Sequence, residues 1–199
     1  MKMIMYKELF RQVVDLLTQP RKAWEELVKK EEKGDEFLVK FVYPLIGLVT
    51  ASAFIGVLFT EKTFSVELAI KSSIKALFSS FGGFFLAAWL LNKVWTGFLK
   101  RDDNLRLWQR FVGYSSVAMF VIHIVLTLIP LLPLSDFIFL RIIILFVATV
   151  YIVWEGVMPY MKIGERIRFR VALLVSVFIV LLPEIINAFL FLLLPGLRV

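Results

Sequence analysis

The sequence predicts an all-α membrane protein, a five-transmembrane-helix bundle preceded by amphipathic cytoplasmic N-terminal helices. Three observations carry that prediction. Hydrophobic residues make up 60% of the 199-residue chain, above the roughly half that is usual in a soluble domain. The charges are bunched, leaving uncharged or nearly uncharged stretches long enough to cross a hydrocarbon core as helices of about 20 residues. Those stretches do not alternate polar with apolar and exceed the roughly 10 residues of a barrel strand. Backbone amides in hydrocarbon must be satisfied internally, so the stretches span as helices.

Residues 1–38 form the first unit, a mixed-charge segment without the apolar core of a signal peptide; no cleaved leader is expected, and the first span directs insertion. Leu9, Phe10, Val13, Val14 and Leu17 recur at helical spacing, followed by Thr18-Gln19-Pro20. A second short helix carries Ala23, Trp24, Leu27 and Val28 on one stripe. Charge flanks both stripes, which suits helices lying on the cytoplasmic membrane surface or packed against the bundle. Phe10, Leu17, Pro20 and Trp24 are the candidate partner or membrane-surface contacts.

The second unit, residues 39–199, holds the spans at about 41–60, 76–99, 111–134, 137–160 and 171–194. The first has no charge at all, and Lys93 interrupts the second near one end. The third contains His123, the fourth Arg141 and Glu155, and the fifth Glu184. Pro130, Pro133, Ser135 and Asp136 between spans three and four predict a stiff, tight turn.

Orientation follows from lysine and arginine. The stretch before span one holds nine, Lys93 with the loop after span two five, and the loop between spans four and five four, eighteen in all. The opposite side has Lys62, Lys71, Lys75, Arg141 and Arg198, which completes the total of 23. Positive charge stays inside, so the sequence predicts a cytoplasmic N-terminus and an external C-terminus in a cell (cytoplasmic, inner) membrane. The net charge of +7 then belongs to loops beside anionic lipid, and no nucleic-acid partner is expected. The expected partners are the lipid bilayer, other membrane proteins or a second copy of the chain.

Ionisable residues inside a membrane are costly and are the candidates for function. His123 and Glu184 fall near the middle of two spans that run in the same direction, at similar depth, with Asn187 one turn beyond Glu184 on its face. An imidazole–carboxylate pair could shuttle protons. The competing reading is structural: a buried hydrogen-bonded pair, or a protonated Glu184 bonded to a carbonyl freed by Pro183. Glu155 projects to the same depth as Tyr43, Asn92, Tyr114 and Ser115, a polar layer near the cytoplasmic face that either opens as a crevice or fixes the bundle. Gly82-Gly83 after Ser79-Ser80 is a small-residue patch for close helix approach.

Catalytic constellations are missing from the inventory. One histidine and no cysteine build no usual zinc or di-metal centre. There is no G-x-S-x-G and no Walker-type phosphate loop. The paired glutamates Glu25-Glu26 and Glu31-Glu32 lie outside the spans. No cofactor and no metal are expected, and an enzyme is not expected; a transferase using solitary carboxylates has no positive support.

Leu16-Leu17-Thr18-Gln19-Pro20 followed by Ala23-Trp24, Tyr43-Pro44 opening span one, and Gly113-Tyr114-Ser115 opening span three together resemble the bacterial branch of the Yip family, relatives of the eukaryotic Ypt- and Rab-interacting membrane proteins. The five-span plan is similar over nearly the whole chain. The acidic and glycine-tyrosine signatures of the eukaryotic trafficking members are not evident, so no GTPase-binding role is carried over. The resemblance implies a non-enzymatic membrane scaffold or adaptor. The residues leave an alternative open, a small proton-coupled transporter or channel using His123 and Glu184.

Overall fold

A computed structural model describes residues 2–30, 36–60, 65–99, 102–129 and 138–193, and no strand occurs among them. Helix α1 (Lys2–Thr18) and helix α2 (Pro20–Lys29) form an N-terminal arm. Pro20 separates them: it lacks an N–H for the preceding helix and is well suited to the first position of the next. The arm's inner faces follow helical spacing, with Leu9, Val13 and Leu16 buried on α1 and Pro20, Ala23, Trp24 and Leu27 on α2. These inner faces therefore pack inward, whereas Phe10, Val14 and Val28, expected on the same stripes, are exposed.

A π-helical turn, Leu38–Val42, leads into α3 (Tyr43–Thr60). Helix α4 (Val66–Leu99) follows; at 1.5 Å per residue it is about 50 Å long, well beyond a hydrocarbon core of about 30 Å. It starts at Val66 rather than at the expected position 76 because its first turns are amphipathic. Ala69 is fully buried there, while Glu67 and Lys71 pair one turn apart. Lys71 and Lys75 thus belong to a helix, not to a loop.

Helices α5 (Leu105–Ser115) and α6 (Val117–Leu128) make one crossing, interrupted at Ser116. The Asn104 side chain accepts a hydrogen bond from the Leu107 N–H at 3.0 Å and so sets the start of α5 ahead of residue 111. The turn expected at Pro130, Pro133, Ser135 and Asp136 lies outside the described residues. Helix α7 (Ile138–Met161) ends where Lys162 takes a left-handed φ of 51°, a helix-terminating conformation. Helix α8 (Glu165–Leu193) closes the described chain and carries Pro183.

Five of the helical segments are long and apolar enough to cross a membrane: Leu38–Val57, Val66–Gly97, Leu105–Leu128, Phe139–Met161 and Glu165–Leu193. They close into a ring, α3 against α4, α4 against α8, α8 against α7, α7 against α6, and α6 back against α3. Large apolar side chains also point outward, among them Phe139, Val147, Phe169, Phe189 and Leu192. So much exposed apolar surface is stable only where lipid is the solvent. Glycines set the closest contacts. A Cβ on Gly83 would stand 2.5 Å from Cγ of the Pro183 ring, and one on Gly56 an equal 2.5 Å from Cγ2 of Thr127. The Gly82-Gly83 patch is thus the surface on which α8 lies.

Candidate functional site

The polar residues gather at two ends of the ring. At the end that carries the arm, Trp24 is the fastener. Its side chain is fully buried, and its indole N–H donates to the Ile152 carbonyl at 2.9 Å. The ring lies directly over Gly156, where any Cβ would run into the indole. Phe111 and Tyr160 sit at 5.1 Å and Tyr114 meets it edge-on at 5.9 Å. Phe37 and Phe41 extend the cluster over Tyr114 at 4.8 and 4.7 Å, and Gly113 leaves the room that the Phe37 ring fills. One tryptophan from α2 therefore ties α5 and α7 together.

Lys30 closes the arm by donating to the Glu8 carboxylate at 2.8 Å. That hydrogen bond and the lysine charge hold the Glu8 carboxyl below the usual glutamate range. The outer face of α1 is bare. Tyr6, Phe10 and Val14 follow at successive helical turns with exposures of 56%, 70% and 37%. Lys7 and Arg11 stand beside them, and Leu17 is half-buried at the end of the helix.

The polar layer projected around Glu155 divides between separate places. Glu155 lies with Arg21, Glu25 and Arg168 in a groove between α2, α7 and α8. Arg168 donates to the Trp154 carbonyl at 2.8 Å and covers the Trp154 ring at 4.0 Å. Asn92 is buried and staples the α4–α5 connection: its amide donates to Asp103 at 2.7 Å and accepts from the Asn104 N–H at 3.1 Å. Tyr43 faces outward beside Phe81. Tyr114 belongs to the aromatic cluster, and the Ser115 hydroxyl next to it is buried without a hydrogen-bond partner.

At the far end the ring opens into a cavity of about 320 Å³. All five spans line it: Gly56 from α3, Ser72 and Lys75 from α4, His123 and Thr127 from α6, Arg141 from α7 and Asn187 from α8. The Arg141 guanidinium donates to the Glu184 carboxylate at 2.7 Å, joining α7 to α8. His123 lies within electrostatic reach of both charges. The structure thus gathers His123, Glu184 and Asn187 into one neighbourhood, but it is Arg141 that bonds Glu184. Sequence reasoning placed Arg141 within the fourth span but counted its charge with the outer side, left Lys75 just before the second span, and assigned neither to the site. The available signal was a lone arginine inside an apolar run, opposite a lone glutamate. Among the described residues no three potential metal ligands converge.

A ring of apolar spans with lipid-facing side chains, an arm docked at one end and a polar cavity at the other, defines a multi-pass helical membrane protein. The chain belongs to the Yip1 family, whose Yip1 domain matches residues 14–186, from within α1 to within α8. Among curated proteins and solved structures, none matches the chain.

Proposed function

We propose that the protein is a non-enzymatic scaffold or adaptor of a cell membrane, with its arm in the cytoplasm and its C-terminus outside. The outer face of α1 is where another membrane protein docks. The observation that carries this reading is the two-sided arm. Its inner face is locked to the bundle through Trp24, while Tyr6, Phe10 and Val14 form an unpartnered apolar stripe beside Lys7 and Arg11. A rigidly held stripe loses little entropy on docking, which favours binding. Family membership supports the reading, and the charge asymmetry of the loops supports the orientation.

The test is in-membrane crosslinking and affinity purification of the full chain beside its Phe10→Ser variant. A membrane protein captured by the first and lost by the second is the expected result. An identical set of captured proteins would remove the stripe from the proposal, and capture of lipid alone would make it a membrane-surface contact. Reporter fusions at Gly164 and after Val199 should read cytoplasmic and external respectively; an internal C-terminus defeats the orientation.

The alternative, proton-coupled transport, is favoured by one observation, the convergence of His123 and Arg141 on one cavity with Glu184 bonded to Arg141. Proton flux in proteoliposomes that survives Glu184→Gln intact would eliminate it.

A further inference from the structure

We infer that the far-end cavity is a binding site for a phosphate-bearing anion, held between Lys75 and Arg141. The charge balance at the cavity comes first. Lys75 and Arg141 line it, and Glu184 neutralises one of them through the 2.7 Å ion pair to Arg141. No carboxylate among the described residues lies within salt-bridge distance of Lys75, which is half-buried on α4. The nearest acidic residue on its own helix, Glu67, pairs with Lys71 instead. Among the described residues one positive charge is therefore left over at the cavity, an arrangement that an anion or water would compensate.

Unmade hydrogen bonds come second. The Arg141 Nε–H is buried and has no partner, and the Asn187 carbonyl oxygen is likewise buried and unpartnered. Buried polar atoms without partners are rare and mark places where a group from outside completes the structure. An oxyanion answers the first of these directly. A protonated phosphate oxygen or a glycerol hydroxyl answers the second, and turning the Asn187 amide over would present its NH2 to the anion instead. Ser72, Thr127 and the His123 ring add polar groups to the same wall.

Shape comes third. The groups are contributed by four different helices around a volume of about 320 Å³, at the small end of ligand pockets. Donors spread so widely suit a polyatomic anion with several oxygens better than a spherical halide. Arginine supplies a planar fork and lysine a movable point charge, a usual combination for phosphate. The source of that phosphate is either a lipid headgroup entering between helices or a soluble phosphate; the chemistry at the site is the same.

The experiment uses the full chain, delipidated in maltoside micelles, and follows thermal unfolding by tryptophan fluorescence. One arm adds inorganic phosphate against chloride at matched ionic strength. The other adds dioleoylphosphatidylglycerol against dioleoylglycerol. The wild-type midpoint should rise with concentration in at least one arm, as ligand linkage requires. Phosphate alone assigns a soluble ligand, and phospholipid alone assigns a headgroup. Lys75→Gln should weaken the apparent affinity about tenfold to a hundredfold, the range for one charge-assisted hydrogen bond. The same variant leaves the Arg141–Glu184 pair in place, so its midpoint without ligand should not fall. Arg141→Lys keeps the charge but removes Nε, and it should weaken binding as well. No rise with either probe, or a rise of equal size in Lys75→Gln, overturns the proposal.

Discussion

Replacing Trp24 by alanine should release the N-terminal arm without unfolding the ring. The side chain is fully buried, touches Phe111, Tyr114 and Tyr160, and rests on Gly156. Truncating a core aromatic of this kind costs about 3–5 kcal/mol. The lost indole N–H bond to Ile152 adds little beyond that, because the carbonyl sits inside α7 and keeps its helical partner. Docking of α2 should therefore weaken by roughly a hundredfold to a few thousandfold. Hydrogen exchange on the full-length protein in micelles reads this directly. Amides of α2 should exchange faster by that factor, while those of α4 and α8 stay unchanged. Trp24→Phe keeps an aromatic side chain but loses the second ring of the indole with its donor, and should lose only about 1–2 kcal/mol. Gly156→Ala attacks the same contact from the other side, since its Cβ occupies the place of the indole, and it should loosen α2 comparably. Unchanged protection of α2 in Trp24→Ala would refute the reasoning. So would loss of protection throughout the ring, because the tryptophan would then hold the fold rather than the arm.

Other perturbations test the remaining contacts. Gly83→Val pushes side-chain atoms into Pro183, whose ring Cγ and Cδ lie 2.5 and 3.0 Å from the added Cβ. It should destabilise the α4–α8 contact by about 1–3 kcal/mol, the usual cost of overpacking, seen as a lower unfolding midpoint; an unchanged midpoint would show that the two helices can part freely. Asn92→Ala removes both hydrogen bonds that brace the α4–α5 connection. A loss of about 1–3 kcal/mol should follow, with faster exchange at the Asn104 amide. Acid should loosen the arm at its other tie. The folded state holds Glu8 below its ordinary value, so the Lys30 pair contributes stability above the unfolded-state pKa and loses it as pH falls through the lowered value. The pair is largely exposed, so the effect is at most about 1 kcal/mol and should shrink with added salt; α1 exchange that is flat across the acid range would contradict it.

The spans were legible because each must satisfy its own backbone and cover its own surface with apolar side chains, conditions visible within one segment. Their starts were less legible. Capping by Asn104 and the amphipathic first turns of α4 carry helix beyond the charge-free windows. The arm shows the same division. In the structure Leu9 and Val13 are buried together with Leu16 while Phe10 and Val14 face outward, and the stripe read from the sequence, Leu9, Phe10, Val13, Val14 and Leu17, does not say whether lipid or protein buries it. Gly156 answers that, from a position far along the chain that only the fold brings under Trp24.

His123 and Glu184 stood out in the sequence because an ionisable group in hydrocarbon is conspicuous by its cost. Their partner did not, because partnership depends on which helices adjoin. The ring order places α7 between α6 and α8, so Arg141 reaches Glu184 before the histidine can. Local composition thus determined that this chain spans a membrane in five passes with an amphipathic arm and a few buried charges. The order of the helices around the ring, set by glycine-sized approaches and long-range packing, decided which of those charges meet and that Lys75 is left facing a cavity. The physical reason is range: hydrophobicity and helix formation act within a segment, whereas ion pairs and cavities exist only between segments.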